Sequence, residues 1–223
     1  MADIQRFLDA IKKLREVNKK RNFVQTAELQ AALKNIDLTK VENRIEDLVL
    51  LPHGLGKKRK VCAFVGPETY EEASKIFDKV ILVDEFPKYD KKAAKKLARE
   101  YDFFVAQANI MPQVARYFGR YLGPLNKMPN PKLGLLFPPK GARLKELYDK
   151  LQKSVAVVVK KVPLAYVPFG VETMKDEELA ENLATVYNHI VEKLPNKEGN
   201  IKRAVIKFTM SKAVRIKWGE SNG

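Results

Sequence analysis

Cys62, His53 and His189 are the only cysteine and the only histidines in this 223-residue chain, and that inventory limits its chemistry. A single cysteine makes no intramolecular disulfide and no Cys-based zinc cluster, and two isolated histidines make no metal-ligand set. Cys62 lies inside a continuous apolar run, which suits a core residue better than a nucleophile. His53, in a Pro-His-Gly turn, suits a structural role. After the run Val61 to Val65 comes Gly66-Pro67-Glu68-Thr69-Tyr70-Glu71-Glu72. It lacks the glycine spacing of a dinucleotide loop and sets acids where a pyrophosphate would bind. There is no GxxxxGK[ST] loop, no GxSxG elbow and no carboxylate pair that stands apart from surface acids. A non-catalytic protein with no metal and no cofactor is expected; the alternative is a nucleotide-dependent enzyme using an α/β domain.

What the chain has in excess is positive charge. Lys and Arg number 42 against 27 Asp and Glu, a net charge of +15. A basic chain that is also 45% hydrophobic is a globular protein whose first candidate partner is nucleic acid. The oddest cationic stretch is Gly119 to Gly141, with five of the twelve prolines, four of the eleven glycines and no acid. Proline fixes φ and removes a donor, so this is a shaped loop rather than helix. Residues 67–90 carry seven acids and three bases, whereas 91–153 carry fourteen bases and four acids. The polyanion-facing side is therefore expected in the later half. Lys57-Lys58-Arg59-Lys60, following two glycines, marks either a boundary or an anion-facing loop. No apolar run approaches a membrane span and the N-terminus lacks a signal h-region, so the expectation is the cytoplasm and no membrane.

The elements that would position these residues come in two styles. Ile4, Phe7, Leu8, Ile11, Leu14 and Val17 recur at helical spacing behind Asp3 as a cap. From Phe23 the period becomes two, with Phe23, Ala27, Leu29, Ala31 and Leu33 on one parity. A second apolar run, Leu48 to Leu51, follows. Then Val61 to Val65, Val80 to Val83, Phe103 to Ala106 and Leu133 to Phe137 are short continuous apolar runs, with helices at about 68–78, 90–101, 112–122 and 142–153. That alternation predicts a parallel sheet covered by helices. After Ser154 alternation returns, in Val155 to Val159 and Leu164 to Val167. Thr173 resembles the start of a capping box opening a helix through Leu194. Ala204, Ile206, Phe208 and Met210 then share one strand parity, and Val214, Ile216 and Trp218 alternate with Arg215 and Lys217. The economical α/β architecture has two domains. Residues 1–60 and 154–223 form a discontinuous domain into which a Rossmann-like domain, 61–153, is inserted through two adjacent strands acting as a hinge.

Four stretches carry a family resemblance. Arg21-Asn22-Phe23-Val24-Gln25-Thr26, Leu51-Pro52-His53-Gly54-Leu55-Gly56-Lys57 and Lys207-Phe208-Thr209-Met210-Ser211-Lys212 resemble signatures of the universal large-subunit ribosomal protein L-one family. Gly123-Pro124-Leu125-Asn126-Lys127-Met128-Pro129-Asn130-Pro131 resembles its second-domain loop. Glu42-Asn43-Arg44 and Tyr101-Asp102-Phe103-Phe104 resemble the archaeal type. The resemblance implies a split α/β sandwich domain with a Rossmann-like insert, binding to large-subunit rRNA at the mobile stalk near the tRNA exit site, and repression through the protein's own mRNA. It also implies proximity to exit-site tRNA and a monomer when free.

Carried over by position, the implied RNA surface takes Asn22, Phe23 and Thr26 from the first strand and His53 and Lys57 from the second stretch. Lys207, Thr209, Met210, Ser211 and Lys212 come from the end of the last strand, with Gly123, Pro124, Lys127 and Met128 as second-domain contacts. Parity alone leaves Phe23 and Met210 open: it groups them with core residues, yet both sit at strand ends where a side chain can reach past the sheet. Two departures stand out. Ser211 replaces the glycine of a Thr-Met-Gly motif, and Leu125 replaces the arginine of a Gly-Pro-Arg loop, removing a guanidinium suited to phosphate.

Overall fold

A computed structural model describes residues 2–139, 141 and 143–216. The chain begins with α1 (Ala2–Val17), β1 (Thr26–Leu33) and β2 (Ile45–Leu50). It continues through β3 (Val61–Val65), α2 (Tyr70–Ile76), β4 (Lys79–Leu82), α3 (Lys91–Glu100), β5 (Phe103–Gln107), α4 (Met111–Leu122), β6 (Leu136–Phe137) and α5 (Leu144–Lys153). It closes with β7 (Ser154–Val159), β8 (Leu164–Val171), α6 (Asp176–Lys193), β9 (Ile201–Phe208) and β10 (Val214–Arg215). These elements make a mixed α/β protein of two compact units, Met1–Lys57 with Lys153–Gly223, and Lys58–Gln152. The side chain of Asp3, together with Lys217 and Trp218, lies outside the described residues. No described helix is long and apolar enough to cross a membrane.

The first unit is built on an antiparallel sheet in the order β10-β9-β1-β8. Strict alternation drives it: Ala27, Leu29, Ala31 and Leu33 of β1 are buried while Thr26, Glu28, Gln30 and Ala32 are not, the pattern of a sheet with one packed face. α1 and α6 cover that face. Phe7, Ile11 and Leu14 of the first and Leu183, Val186 and Ile190 of the second join one core with the strand residues. β2 and β7 pair with each other in a separate two-stranded sheet, Ile45 opposite Val159 and Leu50 opposite Ser154. Gly170 has a packing reason to be glycine, since a Cβ there would stand 2.3 Å from Cδ2 of Leu179 and force that buried side chain of α6 to move. α6 starts later than the Thr173 signal suggests. Its N-cap is Lys175, whose N–H donates to Glu178 at 3.2 Å, while Met174 N–H closes a turn on Val171 at 3.1 Å.

The second unit is a parallel sheet in the order β4-β3-β5-β6. β3 and β5 are buried along their whole length, as strands covered on both faces must be. Cys62, Phe64, Phe104 and Ala106 pack with Ala94, Leu97, Val114 and Phe118 of α3 and α4. On the other face, Phe77, which follows α2, meets Tyr148 of α5 at 5.9 Å between ring centroids. Burial pushes the Cys62 thiol pKa up, which keeps it protonated and inert. The apolar run from Leu133 contributes only the two-residue β6. Pro131–Leu133 form a 3-10 turn, and Gly134 at φ +65° turns the chain before pairing begins.

Candidate nucleic-acid interface

β1 starts at Thr26 and β9 stops at Phe208, so Phe23 and Met210 lie outside the sheet and its parity does not apply to them. Both point to solvent, Phe23 52% and Met210 58% exposed, with Val24 beside them at 56%. Large apolar side chains held open together at one end of a sheet are the unusual feature, since scattered exposed apolar residues are ordinary.

A buried amide fixes their frame. Gln25 is fully buried. Its Oε1 accepts from Met210 N–H at 2.9 Å, and its Nε2 donates to Asn18 Oδ1 at 2.9 Å and to Glu172 Oε2 at 3.0 Å. Gln25 N–H donates to the other carboxylate oxygen of Glu172 at 3.0 Å. Arg15 secures the same corner, reaching the carbonyls of Glu172 and Met174 at 2.8 and 2.6 Å and Asp176 at 2.5 Å. These bonds join the end of α1, the start of β1 and the chain after β8 and β9. In the sequence Gln25 is marked only as an amide at a core parity position, in step with Ala27 and Leu29.

Thr26 and Thr209 sit between the two apolar residues, their backbones and the Thr209 hydroxyl hydrogen-bonded to each other at 3.1–3.4 Å. Lys57 brings its ammonium to the Thr26 hydroxyl at 3.2 Å. The turn that delivers Lys57 needs Gly56, at φ +75° with its Cβ position 2.6 Å from Val171. Ser211 fits without strain, because its φ is not positive. Its hydroxyl accepts from Phe208 N–H at 2.9 Å and faces Lys212 C=O at 2.9 Å, closing the turn that presents Met210. Lys207 lies opposite Glu28 on the open sheet face, and Lys212 is exposed. Beside Phe23 an open cleft runs along Arg15, Asn18, Lys20, Arg21 and Asn22 to Glu172. Lys20 and Arg21 bring exposed cations to it.

Other expected contacts are engaged elsewhere. The His53 ring meets Glu181 at 2.6 Å and the His53 backbone N–H donates to Asn182 Oδ1 at 3.1 Å, so His53 braces its loop against α6. Lys127 donates to the carbonyls of Ala98 and Tyr101 at 2.9 and 2.6 Å, and burial lowers its pKa. Met128 packs against the second unit's core, whereas Gly123, Pro124 and Leu125 are exposed. Of the four cations after Gly56, Lys58 pairs with Asp78 at 2.8 Å, Lys60 with Glu100 at 3.3 Å, and Arg59 lies 5.0 Å over the Phe103 ring. These three anchor the start of the second unit, which is the boundary reading of that run rather than the anion-facing one. Among the described residues no His, Cys, Asp and Glu gather into a metal-binding group.

Comparison with known proteins follows the same outline. Residues 12–212 match the profile of the Ribosomal protein L1p/L10e family. The large ribosomal subunit protein uL1 of Nanoarchaeum equitans is 45% identical over 212 residues, 94% of this chain and 98% of that protein. The proteins of that name from Thermococcus kodakarensis and Pyrococcus abyssi are 42% and 41% identical, each over 96% of this chain and 98% and 97% of their own lengths. With its α/β units and its exposed apolar pair on a hydrogen-bonded sheet end, this chain belongs to the Ribosomal protein L1p/L10e family, in its archaeal form.

Proposed function

We propose that this chain is a structural protein of the large ribosomal subunit that binds a folded segment of large-subunit rRNA through the Phe23–Met210 end of its antiparallel sheet. Family membership makes it a ribosomal component rather than an enzyme. One observation carries the RNA reading: two large apolar side chains stand 52% and 58% exposed on a frame that buried Gln25 holds rigid. Such side chains cover sugars and bases, while Lys20, Arg21 and Lys57 meet phosphates and Thr26 meets 2′-hydroxyls. The rRNA segment is the mobile stalk near the tRNA exit site, with exit-site tRNA as a neighbour. A similar fold in the protein's own mRNA takes the same surface and represses translation. The free protein is a cytoplasmic monomer, and the discontinuous unit carries the binding while the inserted unit adds secondary contacts.

The test is recovery of RNA by the tagged protein from its own cells, followed by sequencing. The expected result is enrichment of one region of large-subunit rRNA and of the protein's own transcript, both lost with Phe23→Ala/Met210→Ala. Absence of any enriched rRNA region, or enrichment unaffected by the double variant, overturns the proposal.

A further inference from the structure

The side of the second unit covered by α3 and α4 carries positive charge that the interface above does not use. Lys92, Lys95, Lys96 and Arg99 recur at i, i+3, i+4 and i+7, which stacks four side chains into one stripe of α3. All four are exposed, while Ala94, Leu97 and Ala98 on the opposite stripe are buried. The four cations line one shallow groove with Glu100. Like charges at i, i+4 destabilise a helix, so such stripes are ordinarily relieved by carboxylates. Here the nearby carboxylates are committed. Asp90 caps α3 by accepting from Ala93 N–H at 2.7 Å, Glu100 pairs with Lys60 at 3.3 Å, and Asp102 accepts from Lys60 N–H at 3.1 Å. Among the described residues, none of the four cations has an ion pair.

α4 extends the surface. It shares the α3 side of the sheet through Val114 and Phe118, contains no acid, and exposes Arg116 and Arg120. Tyr117 is 37% exposed, with the Arg116 guanidinium 5.9 Å from its ring centre. α2 is the opposite case: it carries Glu71 and Glu72 in its first turn, just after Glu68. Positive charge without acids between the cations is therefore a feature of α3 and α4, whereas α2 and α5 mix acids with bases.

We infer that the α3–α4 face is a second nucleic-acid contact, one that holds the phosphate backbone of double-helical RNA without reading its bases. It rests on the RNA-binding reading above and adds to it a surface on the other unit. From Lys92 to Arg99 the stripe runs roughly 10 Å, about three phosphates along one strand of a duplex. The stripe's donors are ammonium and guanidinium groups, which suit phosphate oxygens, and the carboxylate in its groove, Glu100, is held by Lys60 at 3.3 Å.

The test uses the full-length protein and a mixed-sequence RNA duplex, with affinity measured by fluorescence anisotropy across a KCl series. Lys92→Gln/Lys95→Gln/Lys96→Gln should reduce the slope of log K against log salt by about two to three units, because each lost phosphate contact removes roughly 0.7–0.9. Lys75→Gln/Lys79→Gln/Lys145→Gln removes the same charge elsewhere on the unit and should change the slope by less than about one. Glutamine keeps the helix propensity of lysine and relieves repulsion, so the first variant stays folded. An unchanged slope in the α3 variant, or equal losses in both variants, overturns the inference. So does loss of phosphatidylserine-vesicle binding with duplex affinity intact, which would make the face a lipid surface. Phe23→Ala/Met210→Ala should leave the duplex slope unaltered. Failure of the rRNA-recovery experiment alongside the α3 slope loss would therefore sink only the ribosomal reading.

Discussion

Thr209 and Thr26 close the end of the β1–β9 ladder on each other. Thr209 N–H donates to Thr26 C=O at 3.1 Å, and Thr26 N–H donates to the Thr209 hydroxyl at 3.1 Å, which itself lies 3.4 Å from the Thr26 carbonyl. The hydroxyl that motif position marks as an RNA contact is thus also a strand-end clasp between Phe23 and Met210. Thr209→Val keeps the shape and removes the acceptor, leaving Thr26 N–H without it. The expected cost is about 0.5–1.5 kcal/mol in urea unfolding, with the protein still folded at 25 °C, and weaker RNA binding because both apolar neighbours lose their common anchor. Thr209→Ser should restore both properties. A valine variant with unchanged urea midpoint and unchanged affinity would remove the clasp from the account.

Gln25 and Phe23 should behave oppositely although they are two residues apart. Gln25→Ala strips a buried site of the partner for Met210 N–H, Glu172 and Asn18, and is expected to cost about 2–4 kcal/mol of stability. Phe23→Ala removes a half-exposed ring and should stay within about 0.5 kcal/mol of the wild type in stability. In RNA affinity Phe23→Ala should lose about 1–3 kcal/mol, the usual cost of removing an aromatic that stacks on a base. Paired urea and anisotropy titrations check this; a large stability loss at Phe23 would mean the ring packs internally.

Acid should weaken both units through specific carboxylates. Burial alone would raise the pKa of Asp78, but the bonds from Lys58 at 2.8 Å and from Val61 N–H at 3.0 Å outweigh it and hold the pKa below the ordinary range. Asp47 in the first unit follows the same balance, with Lys193 at 3.0 Å and His189 at 3.1 Å. A depressed carboxylate stabilises the fold fully above its unfolded pKa of about 3.9, and that stability is lost as pH falls through the folded value. The melting temperature should therefore drop as pH falls below about 4, and Asp78→Asn should lower it near neutrality while flattening that acid limb. Calorimetry across the range checks the slope; an unaltered acid limb in the variant excludes Asp78 as its source.

Local pattern made the architecture legible, and the limits of local pattern explain the misses. Ala27, Leu29 and Ala31 alternate because one sheet face is packed, and Val61 to Val65 do not because both faces are. Phe23 and Met210 were ambiguous because parity has meaning only inside a strand, and the hydrogen bonding that ends β1 and β9 depends on Thr26 meeting Thr209 and Gln25 meeting Met210 across 183 and 185 residues of chain. The partner of His53, Glu181, is equally remote. Gly134 shows the converse: a single left-handed residue cut a five-residue apolar run to a two-residue strand.

Lys127 is the strongest case of a cation whose sequence context and structural role diverge. It sits in the second-domain motif expected to touch RNA, but its ammonium donates to Ala98 C=O at 2.9 Å and Tyr101 C=O at 2.6 Å, at the C-terminal end of α3. A helix leaves its last carbonyls without internal partners and carries partial negative charge there, so a lysine at that point both satisfies acceptors and opposes the dipole. Lys127→Met keeps the buried stem and removes the charge. It should cost about 1–2 kcal/mol, seen as faster hydrogen exchange in α3 peptides, because charge-assisted bonds to carbonyls are lost. The salt slope for RNA should change by less than the roughly 0.7–0.9 units of one phosphate contact, since the ammonium is not presented to solvent phosphates. A full one-contact fall in slope with α3 exchange unchanged would return Lys127 to the RNA surface and make its carbonyl bonds incidental.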